Sequence, residues 1–228
     1  MKINITSFGY FGYYLASQLY KRDSLNKLYT NLPSFKTKLI SNKNIKRNIL
    51  YSFPYILNKI HLNRASNFLN FYTIDNFDKW IKNNLTHSDI FHSFSSFATK
   101  SLKESKKRYD SMIMLERGST HIEFQNNILK NEYKKWDLKY NDIDNRIVNR
   151  ELEEYEISDV IIVQSSFAKN TFIEKGINKN KILQLPLGID LSLFKPVEKK
   201  DHIFRVLYSG NFSIRKGSLY LLEALKKI

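Results

Sequence analysis

The chain has 228 residues, 42% of them hydrophobic and 14% aromatic, no cysteine, and a formal net charge of +15. That length accommodates one large domain, or one domain and part of another, and the aromatic content excludes a disordered polymer. The lack of cysteine excludes disulfides, cysteine-ligated zinc and thiol catalysis, and without an apolar leader or a bilayer-length apolar run a cytoplasmic protein is expected, soluble or peripheral to the inner membrane face.

Lys2–Ser7 alternates Ile3 and Ile5 with polar residues and predicts a first strand. Gly9 and Gly12 bracket a turn, and Tyr13–Arg22, with Leu15 and Leu19 on its apolar face, predicts a helix. Strand, glycine turn and helix at the amino terminus is how Rossmann-like domains begin. The spacing is G-x-x-G, not the dinucleotide G-x-G-x-x-G. Leu28–Thr30 predicts a second strand, Ile45–Asn70 reads as helical stretches broken near Pro54, and Ile74–Asn84 as a short amphipathic helix. Strands follow at Asp89–His92, Ser111–Leu115, Val160–Val163 and Lys181–Leu185. Between them lie predicted helices at Ala98–Tyr109, from the polar run Glu116–Gln125 to about Ile157 with a break near Asn141, and at Phe167–Lys175, stopped by Gly176.

Short apolar strands alternating with helices argue for an α/β fold, a parallel sheet covered on both faces. Ligands of such sheets bind beyond the carboxyl ends of the strands. The polar loops Gly9–Gly12, Ser93–Ser96, Glu116–His121, Ser165-Ser166 and Gly188–Asp190 are expected there. The first domain is expected over 1–195 and a charged linker over 196–202. Residues 203–228 open a second domain with a strand at Phe204–Tyr208 and a helix at Ser218–Ile228.

From Ser24 to Ile74 there is no acidic residue, while Lys27, Lys36, Lys38, Lys43, Lys46, Arg47, Lys59 and Arg64 are interleaved with Tyr51, Phe53, Tyr55, Phe68, Phe71 and Tyr72. The stretch reads as an ordinary solvated surface or as a dock for anionic lipid or an anionic acceptor. No RNA- or DNA-binding motif accompanies it, so no nucleic-acid partner is expected.

The sharpest chemistry lies near the end. Arg215 and Lys216 stand in a loop before a helix expected to begin at Gly217. Helix N–H groups, a bidentate guanidinium and an ammonium together suit a diphosphate; the alternative is a basic helix start facing solvent. Upstream, Glu116 and Arg117 form a buried pair or touch substrate directly. His121 either faces the ligand or caps a helix or bonds a loop carbonyl.

FRVLYSGNFSIRKGSLYLLEALKKI is similar to the segment that opens the donor domain of family 4 glycosyltransferases, whose fold is called GT-B. SDVIIVQSSFAKNTFIEKGINKNKILQLPLGIDLSLFKP is similar to the close of their first domain, DIFHSFSS to their Asp-x-x-His strand end, and MLERGSTHIEFQNNILKNEY to a longer motif of one branch. The resemblance covers about Asp89–Ile228. It implies two Rossmann-like domains and transfer of a sugar from a nucleotide-sugar to a hydroxyl acceptor with retention, without a metal or other cofactor, in polysaccharide or glycolipid assembly. By the same resemblance, Arg215, Lys216, Gly217 and Asn211 would bind the donor phosphates and His121 would contact the transferred sugar. Gly9, Gly12, His92, Glu116, Arg117, Ser165, Gly188 and Asp190 would line the acceptor side. Gly210-Asn211 stands where many members have Gly-Arg, and the members' paired-glutamate motif lies beyond residue 228. A complete donor domain would need about 150 further residues. The alternative is a truncated, non-catalytic fragment that binds acceptor or membrane.

Overall fold

The apolar runs pair into one parallel sheet. The computed structural model describes residues 1–9, 12–52, 63–189, 191, 194–198 and 200–227, with 63–68 by backbone alone. Among them seven strands form: β1 Ile3–Ser7, β2 Leu25–Thr30, β3 Ile45–Arg47, β4 Ile90–Phe94, β5 Met112–Arg117, β6 Val160–Val163 and β7 Ile182–Gln184. Their order is β3-β2-β1-β4-β5-β6-β7 and every pairing is parallel. The helices are α1 Tyr13–Lys21, α2 Asn63–Asn83, α3 Thr99–Tyr109, α4 Ile122–Lys135, α5 Asn145–Ile157, α6 Ser166–Glu174 and α7 Ser218–Leu225. The fold is the Rossmann-like α/β sheet that the alternation predicts. Its strand order reverses between β1 and β4, which makes their carboxyl ends the switch point where such sheets bind ligands.

Alternation along the strands sorts the core into two layers. Ile3 and Ile5 of β1 meet Leu25 and Leu28 of β2 under Ala16 of α1. On the other face Phe91, Ile113, Leu115, Ile161 and Val163 pack against Phe77 and Ile81 of α2, Leu102 of α3, Tyr155 of α5 and Phe172 of α6. Central β1 also buries Asn4, whose amide donates to Thr86 O (2.8 Å) and whose Oδ1 accepts from Lys27 N (3.1 Å). That side chain fills the register shift between β1 and β2 at Ile3/Asn4. The Gly176 stop forms as expected: Gly176 has φ +87°, its N–H reaches Ile173 O (2.9 Å), and Ile177 N–H reaches Phe172 O (3.0 Å), a Schellman closure of α6.

Three elements depart from the predicted ones. Ile45–Arg47 is an edge strand, not helix; three residues are too few to carry a period, and pairing with β2 decides them. Helix α2 runs unbroken over Asn63–Asn83, joining the end of the predicted Ile45–Asn70 helical stretches to the separately predicted Ile74–Asn84 helix. Phe204–Tyr208 forms no strand. A strand exists only through a ladder partner, none pairs with it among the described residues, and Phe204 and Leu207 are 82% and 89% exposed.

The chain divides into two compact units, one of Met1–Ile122 with Ile143–Leu185, the other of Glu123–Asp142 with Pro186–Ile228. Within the second unit, Tyr220 of α7 ties the two stretches: its hydroxyl donates to Glu132 Oε2 (2.7 Å) and accepts from Lys135 Nζ (2.8 Å), and its ring meets Trp136 at 5.3 Å.

Candidate functional site

Four strand ends of the first unit build the candidate site. On the α1 face, His92 of β4 and Glu116 of β5 approach, Nε2 to Oε2, at 3.4 Å, and Gln164, just past β6, donates to Glu116 Oε1 at 3.3 Å. His92 is buried, yet neither ring nitrogen makes a hydrogen bond among the described residues. Its ring packs edge-on against Phe94. Phe94 in turn lies against Gly12, where a Cβ would stand 2.6 Å from Phe94 Cε2 and 3.3 Å from Thr6 O. Gly12 is therefore glycine to admit neighbouring protein atoms. At Gly9 nothing lies within 4 Å, and its N–H donates to Asn31 Oδ1 at 2.7 Å.

Glu116 and Arg117 do not form the expected pair; successive residues of β5 face opposite sides of the sheet. Arg117 Nε lies 3.0 Å from Glu151 Oε2 of α5. Glu151 also accepts from Tyr155 Oη (2.6 Å) and Ser96 Oγ (2.5 Å). Beside it, fully buried Glu154 accepts from Ser96 N (2.6 Å), Ala98 N (3.0 Å) and Thr99 Oγ1 (3.0 Å). Asp78 of α2 takes the N–H groups of Lys100 (2.7 Å) and Ser101 (2.9 Å). The first turn of α3 is thus closed by protein carboxylates rather than left open for an anion. Ser96 has φ +79°, a conformation that costs a non-glycine residue about 1–3 kcal/mol and is held here by the two glutamates.

Arg150 of α5 centres this network, pairing with Asp75 (3.1 Å) and Asp78 and lying 3.7 Å from Glu154. Burial pushes the Glu154 carboxyl up to about 7, against the pull of the Ala98 N–H and Arg150. Burial likewise raises Asp78, opposed by Arg150. Burial, with the neighbouring Glu151 charge, raises the Tyr155 hydroxyl. Because the folded Glu154 pKa lies above its ordinary value of 4.5, the folded chain holds an extra proton between about 4.5 and 7. Its contribution is therefore fully present below 4.5 and is lost as pH rises through about 7. Urea midpoints should fall across that window, and Glu154→Gln should flatten the fall; an unchanged slope would show that Glu154 does not titrate there.

His121 is 2% exposed, between Tyr155 (5.1 Å) and Phe172 (5.2 Å), and its N–H donates to Thr171 Oγ1 at 3.0 Å. Ser165 caps α6, accepting from Ala168 N at 3.1 Å. In the second unit Gly188 is exposed, and Asp190 lies outside the described residues, as do Pro54, Lys59 and the Arg64 side chain. Arg215 and Lys216 are exposed on a 3-10 turn, Ile214–Lys216, one residue before α7. Gly217 caps that helix at φ +69°, and Asn211 offers its carbonyl to Tyr208 Oη at 2.7 Å. Among the described residues no group of three or more His, Asp or Glu side chains is placed to hold a metal ion, and no helix is long and apolar enough to cross a membrane.

Sequence reasoning missed Asp78, Arg150, Glu151, Glu154 and Gln164. The readable signal was in α5, where Arg150, Glu151, Glu154 and Tyr155 fall on one helical face with charge at core positions.

No protein-family model and no curated protein sequence matches this chain. Among solved structures, Anabaena HepE in complex with UDP-glucose is 12% identical, with a TM-score of 0.46 over 86% of this chain and 46% of that one. The trehalose-6-phosphate phosphatase N-terminal domain of Candida albicans is 12% identical, with a TM-score of 0.49 over 84% and 49%. The chain spans about half the length of these structures. The fold assignment stands on the strand order itself.

Proposed function

We propose that the chain belongs to a retaining, metal-independent glycosyltransferase of the GT-B, family 4 kind, taking a nucleotide-sugar donor and a sugar or glycolipid acceptor in polysaccharide or glycolipid assembly. The carrying observation is buried His92 at the switch point, both ring nitrogens lacking a hydrogen bond among the described residues, beside Glu116. An unmet buried polar group costs about 1–3 kcal/mol, and an acceptor hydroxyl meets it by bonding imidazole and carboxylate together. The ordered strand-end motifs of the sequence supply the sugar-transfer context. In this reading residues 1–195 serve the acceptor and 203–228 open the donor domain. Gly9, Gly12, Arg117 and Ser165 shape the acceptor side. His121 meets the transferred sugar, which requires its buried ring to be uncovered.

Arg215 and Lys216, with the N–H groups past Gly217 and the Asn211 turn, hold the donor diphosphate. Charge builds on the leaving phosphate as the glycosidic bond breaks, so fixed cations there act mainly on the transition state. Lys216→Ala should lower kcat/KM for the preferred nucleotide-sugar by roughly a hundredfold with the acceptor KM unchanged; unaltered kinetics would remove the phosphate role. Background transfer from the 228-residue chain with every UDP-, GDP- and ADP-sugar would sink the enzyme reading for this chain. The second reading would then stand, a non-catalytic acceptor- or membrane-binding piece, which the Phe204–Tyr208 segment, without a ladder partner among the described residues, favours.

A further inference from the structure

We infer that the rim beyond β2 and β3 is a docking surface for an anionic lipid bilayer. Phe35, Leu39, Ile49 and Leu50 are 66%, 57%, 56% and 77% exposed. Single exposed apolar residues are ordinary, but a group on one rim marks an interaction surface. These four lie in the segments that follow the carboxyl ends of adjacent strands, which include the short turns Ser34–Lys36 and Ile49–Ser52. The segments are tied together: Ser52 Oγ donates to Asn31 O (2.9 Å), Asn48 N to Thr30 O (3.0 Å), and Arg47 to Leu32 O (2.8 Å) and Thr37 Oγ1 (2.6 Å). Leu39 is pinned by its N–H to Tyr13 Oη at 3.0 Å. The rim is therefore a held shape and not four independent side chains.

Its charge selects the occupant. Lys36 and Lys38 lie between Phe35 and Leu39, the Lys36 ammonium lies 5.9 Å from the Phe35 ring centroid, and no acidic residue occurs from Ser24 to Ile74. Lysines over lipid phosphates, with aliphatic and aromatic side chains at the acyl boundary, is the arrangement of a peripheral membrane surface. Single-stranded nucleic acid would call for stacking rings and free arginines. Here three of the four apolar residues are aliphatic, and Arg47 is occupied within the protein. Lys43 belongs to the opposite, amino-terminal end of β3, where its carbonyl accepts from Lys27 Nζ.

Docking is independent of sugar transfer, so its test needs no nucleotide-sugar. The purified 228-residue chain is sedimented with phosphatidylcholine vesicles, neutral or carrying about a third phosphatidylglycerol. Binding should be confined to the anionic vesicles and fall with salt. Lys36→Ala with Lys38→Ala should weaken it roughly 25-fold, about fivefold per cation. Serine at Phe35, Leu39, Ile49 and Leu50 should weaken it at least as far without moving the melting temperature, because all four are exposed. Lys43→Ala should change it by less than about twofold. Equal binding to neutral vesicles, or full binding by the serine variant, would overturn the proposal. So would tight binding of single-stranded RNA that needs the lysines and ignores the apolar residues, since the surface would then serve a polyanion.

Discussion

Replacing Arg150 by Met should destabilise the chain by about 3–5 kcal/mol, because it strands buried charge. Arg150 is the cation shared by Asp75, Asp78 and Glu154, and Asp78 and Glu154 have no exposed surface. Asp75 keeps Lys79 and Lys100, but Asp78 would keep only neutral donors from the first turn of α3. The loss should shrink in acid, where Glu154 is protonated, and burial, which raises the Asp78 carboxyl as well, works in the same direction. Urea unfolding at pH 8 and pH 4.5 separates this from a packing defect, which would cost the same at both. Adding Asp78→Asn to Arg150→Met should recover more of the loss at pH 8 than at pH 4.5. A loss under about 1 kcal/mol at both pH values would show the guanidinium to be dispensable.

This network also explains why part of the site could be read in the sequence and part could not. The runs at Ile90, Met112 and Val160 are short and apolar because both faces of their strands are covered. Their polar ends, His92, Glu116 and Ser165, stood out against them. Arg150, Glu151 and Glu154 left only the weaker signal of charge on one helical face, because a charged residue in a helix reads as solvent-facing unless its partners are known, and Asp78 and Ser96 lie tens of residues away. Strand β3 and the unpaired Phe204–Tyr208 segment are the same problem in opposite directions. A strand's existence depends on its neighbour: Ile45–Arg47 has β2 beside it, and Phe204–Tyr208 has none among the described residues. The G-x-x-G turn was legible as a turn, while the reason for its second glycine was not, because Phe94 lies more than eighty residues further on.

That reason makes Gly12→Ala the other large effect. Gly12 has φ +78°, which costs an alanine roughly 1–2 kcal/mol. Its Cβ would also stand 2.6 Å from Phe94 Cε2, with Thr6 O at 3.3 Å and Ile5 Cγ2 at 3.4 Å closing the other sides. Relieving such an overlap costs about 1–3 kcal/mol, so Gly12→Ala should lose roughly 2–5 kcal/mol in urea unfolding. Gly9→Ala is the control: its φ is +69° but nothing lies within 4 Å, so it carries the backbone cost alone. Phe94→Leu should recover the overlap part in the Gly12→Ala background and none of the loss at Gly9. The functional consequence runs through His92, whose ring centroid lies 5.3 Å from that of Phe94. On the proposed acceptor role of His92, a displaced Phe94 carries the imidazole with it, so Gly12→Ala should raise the acceptor KM. Equal stability losses at the two glycines would mean that Phe94 yields freely and that the turn, not the close approach, is what requires glycine at Gly12.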